Sequence, residues 1–322
     1  MPELPEVETV RAGLSRLIVG KQIAAVDFDW PKSFPNTKAD VDTFLISAKI
    51  MAVTRRAKVL LVELSSEYSL VIHLKMTGQL VFRGKNIEFG AGHPSDSLIG
   101  PLPDKSTRVT LQFTDGSTLF FNDQRKFGWI RLLPTVEVLN LAFFQKVGPE
   151  PLASDFTWQL MKDRLLRRKN TNIKAALLDQ SVVAGVGNIY ADESLWGARI
   201  HPATMVRDLS DSKFKELHKS IQAILRLSIE KGGSSSHTYV NAEGKKGSYM
   251  NFASVFRREG DPFFCFCDFV LAIGDDYTDE DMFAGVPASA YTIKVGRGTT
   301  KAHYRLKNPA EVEQFLEKLS KK

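Results

Sequence analysis

The chain begins Met1-Pro2-Glu3, and these residue types could do covalent chemistry on a carbonyl carbon. We expect removal of Met1 ahead of the small Pro2, which would leave a secondary amine as the terminal group. Such an amine titrates near pH ~8, and with an aldehyde it gives a cationic iminium that can drive elimination from a sugar carbon. Glu3 would be a general acid or base beside it. The plain alternative is an acidic helix start with an incidental proline.

The residues that follow are suited to hold this terminus in place. Pro5 fits the first turn of a helix, where its missing amide hydrogen is not needed. Glu6 and Glu8 complement the positive end of the helix dipole. Apolar residues then recur at helical spacing, which predicts one buried face made of Val7, Val10, Leu14 and Leu17.

The composition predicts a globular protein of two domains, with room for a third small one. The chain has 322 residues and a net charge of +6, which favours a polyanionic partner. The excess lies in residues 1–263, because residues 264–322 hold 8 basic and 9 acidic residues. No apolar run reaches the ~18 residues of a membrane span and the acidic N-terminus is unlike a signal peptide, so we expect a cytoplasmic location.

Short apolar segments between Lys21 and Leu133 predict an antiparallel β-sandwich or barrel. They are rich in β-branched and aromatic residues at 59–64, 70–74, 109–113 and 118–121. Asp115-Gly116 between the last two is a strong hairpin signal. The Gly- and Pro-rich stretch from Gly84 to Ser106 indicates a long loop.

A linker at Gly148-Pro-Glu-Pro151 separates this β-rich part from a helical one. Helical periodicity follows at residues 156–168, 173–180, 189–197 and 211–231, and a Gly/Ser run at 231–236 ends it. We therefore predict an α+β protein with a basic binding cleft between its two main domains. The predicted domains are an N-terminal helix with an antiparallel β-sandwich at residues 1–147, an α-helical domain at 152–262 and a short α/β tail at 263–322.

Three further motifs carry cations or an unusual apolar residue. Arg55-Arg-Ala-Lys58 would attract phosphates, with a solvated strand edge as the alternative. His73-Leu-Lys-Met-Thr-Gly78 contains Met76, which by itself would be assigned to the core. Asp123-Gln-Arg-Lys-Phe-Gly128 would ordinarily be a polar turn that closes a hairpin.

Together with the first eleven residues, MPELPEVETVR, these motifs resemble in order those of the formamidopyrimidine-DNA glycosylase family. Residues 173–193 resemble the helix–two-turn–helix of this family. The resemblance as a whole runs from residue 1 to about Pro262. It implies that a damaged nucleotide is flipped out of a bent duplex. Gly185 and Gly187 would let backbone amides approach a phosphate at the start of a helix.

The family's residue roles carry over onto matching positions. Pro2, Glu3 and Lys58 would be catalytic, with Lys58 bound to DNA beside the reacting base and Ala57 in place of the usual glycine. Met76 and Phe127 would enter the duplex as wedges, and Arg125 would contact the orphaned base. The other expected DNA contacts are His73, Lys75, Lys174, Asn188, Thr238 and Tyr239.

The resemblance implies a base-excision repair glycosylase and abasic-site lyase that removes oxidised purines such as 8-oxoguanine and formamidopyrimidine. Its partner would be double-stranded DNA with oxidised bases or abasic sites, bound by a monomer at the nucleoid. Oxidised pyrimidines are the alternative substrate. A damage-binding protein that has lost catalysis is the alternative function.

The C-terminal residues depart from this family. Its zinc finger needs four cysteines and supplies an arginine, whereas this chain has only Cys265 and Cys267, so we predict neither zinc nor another cofactor. We assign the role of that arginine to no residue of this chain. Residues 269–283, with Asp275 and Asp276, instead resemble the last metal-binding motif of trehalose-phosphate phosphatases, which are haloacid-dehalogenase-like. Those enzymes also need an early nucleophilic aspartate, which we do not find, so sugar-phosphate hydrolysis is not expected.

Overall fold

The structure is a computed structural model that describes residues 2–85, 87–92, 95–234, 249–255, 271–276, 279–286 and 290–320. The chain forms two compact units, Met1–Phe256 and Arg257–Lys322. The described α-helices are α1 (Leu4–Ile18), α2 (Lys38–Phe44), α3 (Ala142–Lys146), α4 (Trp158–Leu166), α5 (Ile173–Leu178), α6 (Asn188–Gly197), α7 (Asp211–Glu230), α8 (Asp279–Gly285) and α9 (Pro309–Ser320). The described β-strands are β1 (Ile23–Phe28), β2 (Ile50–Arg56), β3 (Val59–Leu64), β4 (Tyr68–His73), β5 (Gly78–Arg83), β6 (Glu88–Gly92), β7 (Thr107–Phe113), β8 (Thr118–Asp123), β9 (Trp129–Pro134), β10 (Leu271–Gly274), β11 (Tyr291–Val295) and β12 (Tyr304–Leu306).

Two antiparallel sheets make up the N-terminal part of the first unit. One has the strand order β1-β7-β8-β5-β6 and the other the order β2-β3-β4-β9. Apolar side chains from both sheets and from one face of α1 fill a common core, which includes Val10, Leu14, Leu60, Leu80 and Phe121. The predicted N-terminal helix and antiparallel sandwich are therefore confirmed, as is the hairpin, where β7 pairs with β8 around Gly116 at φ +82°.

The prediction of one long loop at residues 84–106 is wrong for its middle part. Residues 88–92 form β6, which pairs antiparallel with β5 and sets Phe89 opposite Phe82. The sequence did not indicate this strand because glycine weakens strands and is found in them mainly where another backbone approaches closely. A Cβ atom on Gly92 would lie 2.3 Å from the carbonyl oxygen of Gly78. The glycine permits the pairing rather than interrupting it.

A second core lies in the helical part of the same unit. Helices α4 to α7 surround it with apolar residues at helical spacing, among them Leu165, Leu177, Leu195, Leu217 and Ile221. The four predicted helices are confirmed to within two residues at each end. The start of α1 belongs to this neighbourhood as well, because the amide of Leu4 donates to the carbonyl oxygen of Gly185 at 3.0 Å.

The second unit is a small α/β structure. Strand β11 pairs in parallel with β10 on one side and with β12 on the other, and α8 and α9 accompany them. This confirms the expected α/β tail. None of the described helices combines the length and the apolar composition that crossing a membrane requires.

Candidate active site

The N-terminal residues are fixed against the first turn of α6. The carboxylate of Glu3 accepts hydrogen bonds from the backbone amides of Gly187 at 2.8 Å, Ile189 at 3.0 Å and Tyr190 at 3.4 Å. The amides of a helix N-terminus are free to bind an anion, and here a side chain of the same protein takes them. Pro2, next to this carboxylate, is buried.

Two glycines make room for this contact. A Cβ atom on Gly187 would lie 2.3 Å from Cδ of Glu3, and one on Gly185 would lie 2.6 Å from Cβ of Leu4. Gly185 also has a φ of +80°, which favours glycine. We expected these glycines to admit a DNA phosphate to the backbone amides. That interpretation is wrong for the Gly187, Ile189 and Tyr190 amides, because the carboxylate of Glu3 occupies them.

Burial and neighbouring charges alter the acidity of two groups here. Burial raises the pKa of Glu3 to about 7, while Lys58 opposes this rise and Glu6 adds to it. Burial lowers the pKa of Lys58, against the opposing effect of Glu3 and Glu6. Near neutral pH, Glu3 therefore exists partly as an acid and can donate a proton, as a general acid requires.

The two arginines before Lys58 are neutralised by carboxylates. Arg55 donates to Glu8 at 3.0 Å and to Glu150 at 2.9 Å, and Arg56 donates to the other oxygen of Glu150 at 2.9 Å. The expectation that all three cations attract phosphates is therefore wrong for the arginines. Lys58 differs from them because it is buried and interacts with the carboxylate of Glu3.

A buried hydrogen-bond network behind the N-terminus was not predicted. The Oε1 atom of Glu6 accepts the hydroxyl of Tyr190 at 2.5 Å and both the amide and the hydroxyl of Ser234 at 2.8 and 2.9 Å. Its Oε2 atom accepts the amide of Glu3 at 2.8 Å. The signal in the sequence was a carboxylate next to Val7 on the apolar face of α1. Glu6 ties the N-terminal segment to α6 and to Ser234, four residues beyond the end of α7.

Two adjacent loops carry the proposed wedge residues. The buried carboxylate of Asp123 accepts the hydroxyl of Thr77 from the loop between β4 and β5, and the amide of Gly128, at 2.6 Å, from the loop between β8 and β9. This contact brings the two loops together. It leaves Met76 39% and Phe127 53% exposed at their tips, although an isolated methionine in this position would be expected in the core.

The basic residues in and beside these loops, Arg125 and His73, differ in charge and in exposure. Arg125 is exposed, and its guanidinium carbon lies 5.0 Å from the ring centre of Phe127. Nδ1 of His73 accepts the amide of Lys75 at 3.0 Å. Burial, followed by the charges of Lys75 and Lys58, lowers the pKa of His73 to about 3. His73 is therefore neutral at physiological pH and carries its proton on Nε2, so it can donate a hydrogen bond but adds no charge.

The remaining expected DNA contacts lie in the helical part. Asn188 is exposed at the start of α6, whereas Lys174 donates to Asp192 at 2.9 Å and is already ion-paired. Thr238 and Tyr239 lie outside the described residues. Tyr249 was not predicted, and nothing in the sequence singled it out. Its buried hydroxyl has no hydrogen-bond partner among the described residues.

A zinc finger does not fit this chain. Four thiolates are needed for the family's closed tetrahedral site, and the whole sequence holds two cysteines, Cys265 and Cys267, both outside the described residues. In the described part of the chain no group of three or more His, Cys, Asp or Glu side chains is placed to hold a metal ion.

The chain is similar to known proteins in sequence and in fold. The family model of the formamidopyrimidine-DNA glycosylase N-terminal domain matches residues 1–130, and that of the formamidopyrimidine-DNA glycosylase H2TH domain matches residues 147–240. A formamidopyrimidine-DNA glycosylase of Streptococcus agalactiae is 41% identical over 267 residues, which are 81% of this chain and 90% of that protein. This chain belongs to the formamidopyrimidine-DNA glycosylase family.

Other relatives of this glycosylase chain agree. The formamidopyrimidine-DNA glycosylase of Lactiplantibacillus plantarum is 39% identical over 267 residues and also covers 81% of this chain and 90% of its own. Among solved structures, a complex between the Lactococcus lactis enzyme and DNA containing an abasic site has 34% identity and a TM-score of 0.70, covering 83% of this chain and 92% of that one. The wild-type L. lactis enzyme in complex with DNA containing N7-benzyl-Fapy-dG also has a TM-score of 0.70 and 34% identity, and the match covers 83% of this chain and 91% of that one.

Proposed function

We propose that this protein excises oxidised purines from double-stranded DNA and then cleaves the strand at the abasic site. The nitrogen of Pro2 bonds to the anomeric carbon of the sugar as the damaged base leaves. Glu3 protonates the ring oxygen, and the sugar opens. The iminium between Pro2 and that carbon then acidifies the neighbouring hydrogens, so that the flanking phosphates are eliminated in turn.

One observation carries this proposal: the carboxyl group of Glu3 is held on the amides of α6, next to Pro2, with its pKa raised to about 7. A carboxyl of ordinary pKa would be ionised at neutral pH and could not donate a proton. The raised pKa keeps a usable fraction of the acid form, and the backbone contacts fix its position. The cation of Lys58 interacts with this carboxyl and would bind the phosphate beside the reacting sugar.

The exposed residues of the two loops would hold the distorted duplex. Met76 and Phe127 are apolar and exposed, as wedges that replace a flipped nucleotide must be. Arg125, stacked on Phe127, offers hydrogen bonds to the orphaned base. Neutral His73 and the cation Lys75 would contact the phosphate backbone together with Asn188, Thr238 and Tyr239. Lys174 would do so by exchanging its ion pair with Asp192 for a phosphate. We place the protein in the cytoplasm, as a monomer on damaged DNA at the nucleoid.

Borohydride trapping on a duplex that contains 8-oxoguanine tests this reaction, because reduction of the iminium leaves a covalent protein–DNA adduct. We expect the natural protein to give the adduct and Pro2→Gly to lose nearly all of it. Pro5→Ala is the matched control, since it changes the same helix start and keeps the terminal Pro2 amine. No adduct with the natural protein would overturn the enzyme proposal and favour a damage-binding protein without catalysis. An undiminished yield from Pro2→Gly would refute the role of Pro2.

For the second unit we propose descent from the end of a phosphatase of the haloacid-dehalogenase type, without its activity. Its parallel strands and the residues Asp275 and Asp276 directly after β10 support this. The early nucleophilic aspartate of such enzymes has no counterpart in the sequence. We therefore expect no phosphate release from trehalose-6-phosphate. Release that disappears in Asp275→Asn would overturn this expectation.

A further inference from the structure

The turn between β2 and β3 sets the place of Lys58. Ala57, directly before Lys58, is buried and has a φ of +53°, in the left-handed region that is unfavourable for residues with a Cβ atom. Such a conformation persists only where the surrounding structure enforces it. The contacts that hold Ala57 therefore also determine where the following lysine lies.

Glu150, from the linker between α3 and α4, supplies those contacts. Its Oε1 atom accepts the amide of Ala57 at 2.6 Å and the guanidinium of Arg56 at 2.9 Å, and its Oε2 atom accepts Arg55 at 2.9 Å. Arg55 in turn donates to the carbonyl oxygen of Ala57 at 2.7 Å. The amide of Ala57 is therefore bound by Glu150, and its carbonyl oxygen is bound by Arg55. Glu150 and Arg55 are in turn hydrogen-bonded to each other.

The cluster is well suited to this task. Burial by itself would raise the pKa of Glu150, but Arg55, the Ala57 amide and Arg56 together outweigh it and hold the pKa below its usual range. Glu150 is therefore ionised at physiological pH and can accept all three donors. The same linker is fixed on its other side, where the amide of Gly148 donates to the carbonyl oxygen of Gln180 at 2.7 Å, close to the turn that leads into α6.

We propose that Glu150 is a positioning residue for Lys58: by binding the amide of Ala57 it fixes the left-handed turn and so sets the lysine against Glu3 and Glu6. The inference rests on the proposed function of Lys58 at the reacting sugar. Within the described residues, the hydrogen bonds of Glu150 go to Arg55, Arg56 and Ala57 and not to Pro2, Glu3 or Lys58. It acts through the backbone of the turn.

Glu150→Gln tests this, since it removes the charge and one acceptor while it preserves the size of the side chain. We expect the single-turnover rate of base release to fall between about tenfold and a hundredfold, as for a small displacement of a reacting group. The Kd for a duplex with an abasic-site analogue should rise by less than about fivefold, because Lys58 is one of several expected phosphate contacts. Glu8→Gln is the matched control, because Glu8 also pairs with Arg55 but does not touch Ala57. It should behave as the natural protein does.

Rescue by Ala57→Gly separates positioning from simple support of the fold. Glycine takes a positive φ without steric cost, so the turn would no longer depend on Glu150. Ala57→Gly added to Glu150→Gln should recover most of the lost rate. A residue that only anchors the linker would not be rescued in this way. Glu150→Asp keeps the charge but is too short to reach the amide of Ala57, so its rate should fall as that of Glu150→Gln does. It replaces Glu150→Gln in the test if that variant folds poorly.

The Cε resonance of Lys58 in protein labelled with [13C]lysine, assigned by its loss in Lys58→Arg, gives a readout that needs no catalysis. In Glu150→Gln the pKa of Lys58 should rise towards its ordinary value. In the double variant with Ala57→Gly it should fall back to the lowered value of the natural protein. An unchanged titration and an unchanged rate in Glu150→Gln, or a loss that Ala57→Gly does not reverse, would overturn the inference. If the natural protein gives no borohydride adduct, the proposed function fails, and the titration still decides the role of Glu150.

Discussion

The carboxylate of Glu3 accepts the backbone amide of Gly187 at 2.8 Å, across 184 residues of sequence. This contact joins the β-rich part of the chain to the helical part at the N-terminal segment. It also places two opposing influences on one group, since burial favours the neutral acid and the amides favour the carboxylate. The outcome is an acid that titrates near neutral pH in a fixed position.

Gly187→Ala should disrupt this contact. The new Cβ atom would lie 2.3 Å from Cδ of Glu3, so the side chain must leave the amides or the helix must shift. We expect the unfolding free energy to fall by about 1–3 kcal/mol and the single-turnover rate of base release to fall by about tenfold to a hundredfold. Denaturant titration and rapid-quench kinetics measure the two effects.

Gly197→Ala, at the other end of α6, is the control for that substitution. Its Cβ atom would meet chiefly the hydroxyl oxygen of Ser220, at 2.4 Å, which can rotate away. Its rate should stay within about twofold of the natural protein. If Gly187→Ala and Gly197→Ala lowered the rate equally, any alanine substitution in this region would impair the enzyme. The loss in Gly187→Ala could then not be attributed to its contact with Glu3.

The pH dependence of base release should be bell-shaped. A terminal proline amine must be neutral to attack and titrates near pH ~8, so the rate rises with pH on the acid side. The raised pKa of Glu3, about 7, means that the acid form is present below that pH and is lost above it, so the rate falls on the alkaline side. Glu3→Gln should react slowly and lack the alkaline fall. A natural enzyme whose rate only rises with pH would contradict this assignment.

Truncation of the wedge residues should weaken DNA binding and leave folding intact. Met76→Ala and Phe127→Ala remove side chains that are 39% and 53% exposed, so the free energy of unfolding should change by less than about 0.5 kcal/mol. Each should weaken binding to an abasic-site duplex by about 1–2 kcal/mol, because an apolar wedge offsets part of the unstacking cost. Fluorescence anisotropy with damaged and undamaged duplexes measures the difference.

Met51→Ala is the control for the wedge variants. Met51 lies on β2 and is 56% exposed, so its truncation removes a similar exposed apolar side chain at another place. We expect its affinity for both duplexes to equal that of the natural protein. A wedge variant indistinguishable from Met51→Ala would show that its side chain does not enter the duplex.

The sequence predicted the fold and the local motifs well, for a physical reason. Hydrophobic periodicity and turn residues act within a few positions, so α1, the sandwich and the four helices beyond the linker could be predicted. The residue types of Pro2 and Glu3 indicated carbonyl chemistry, the resemblance made them the expected catalytic pair, and their roles stay a prediction. The contact between Glu3 and Gly187 could not be predicted, because it depends on packing between segments far apart in the sequence.

Charged residues were the least predictable. Arg55 and Arg56 appeared as free cations, but their partner Glu150 lies more than ninety positions away, in what appeared to be a plain linker. Likewise Glu6 appeared as a partner of the helix dipole and is in fact a buried acceptor. The sequence gives the sign of a charge, whereas burial and partners decide whether it can bind a phosphate.

Tyr190→Phe should reveal what that buried acceptor contributes to stability. The hydroxyl of Tyr190 lies 2.5 Å from Oε1 of Glu6 and 2.5 Å from Oγ of Ser228. Its removal takes one of three donors from Oε1 of Glu6 and takes a hydrogen-bond partner from the buried hydroxyl of Ser228. We expect a loss of about 1–3 kcal/mol in the free energy of unfolding, measured by urea titration. Tyr249→Phe is the control, since its hydroxyl has no partner among the described residues and its removal should cost less than about 0.5 kcal/mol. If both variants lost the same stability, the hydrogen bond to Glu6 would not be the stabilising contact, and Glu6 would hold the N-terminal segment through its bonds to Glu3 and Ser234 alone.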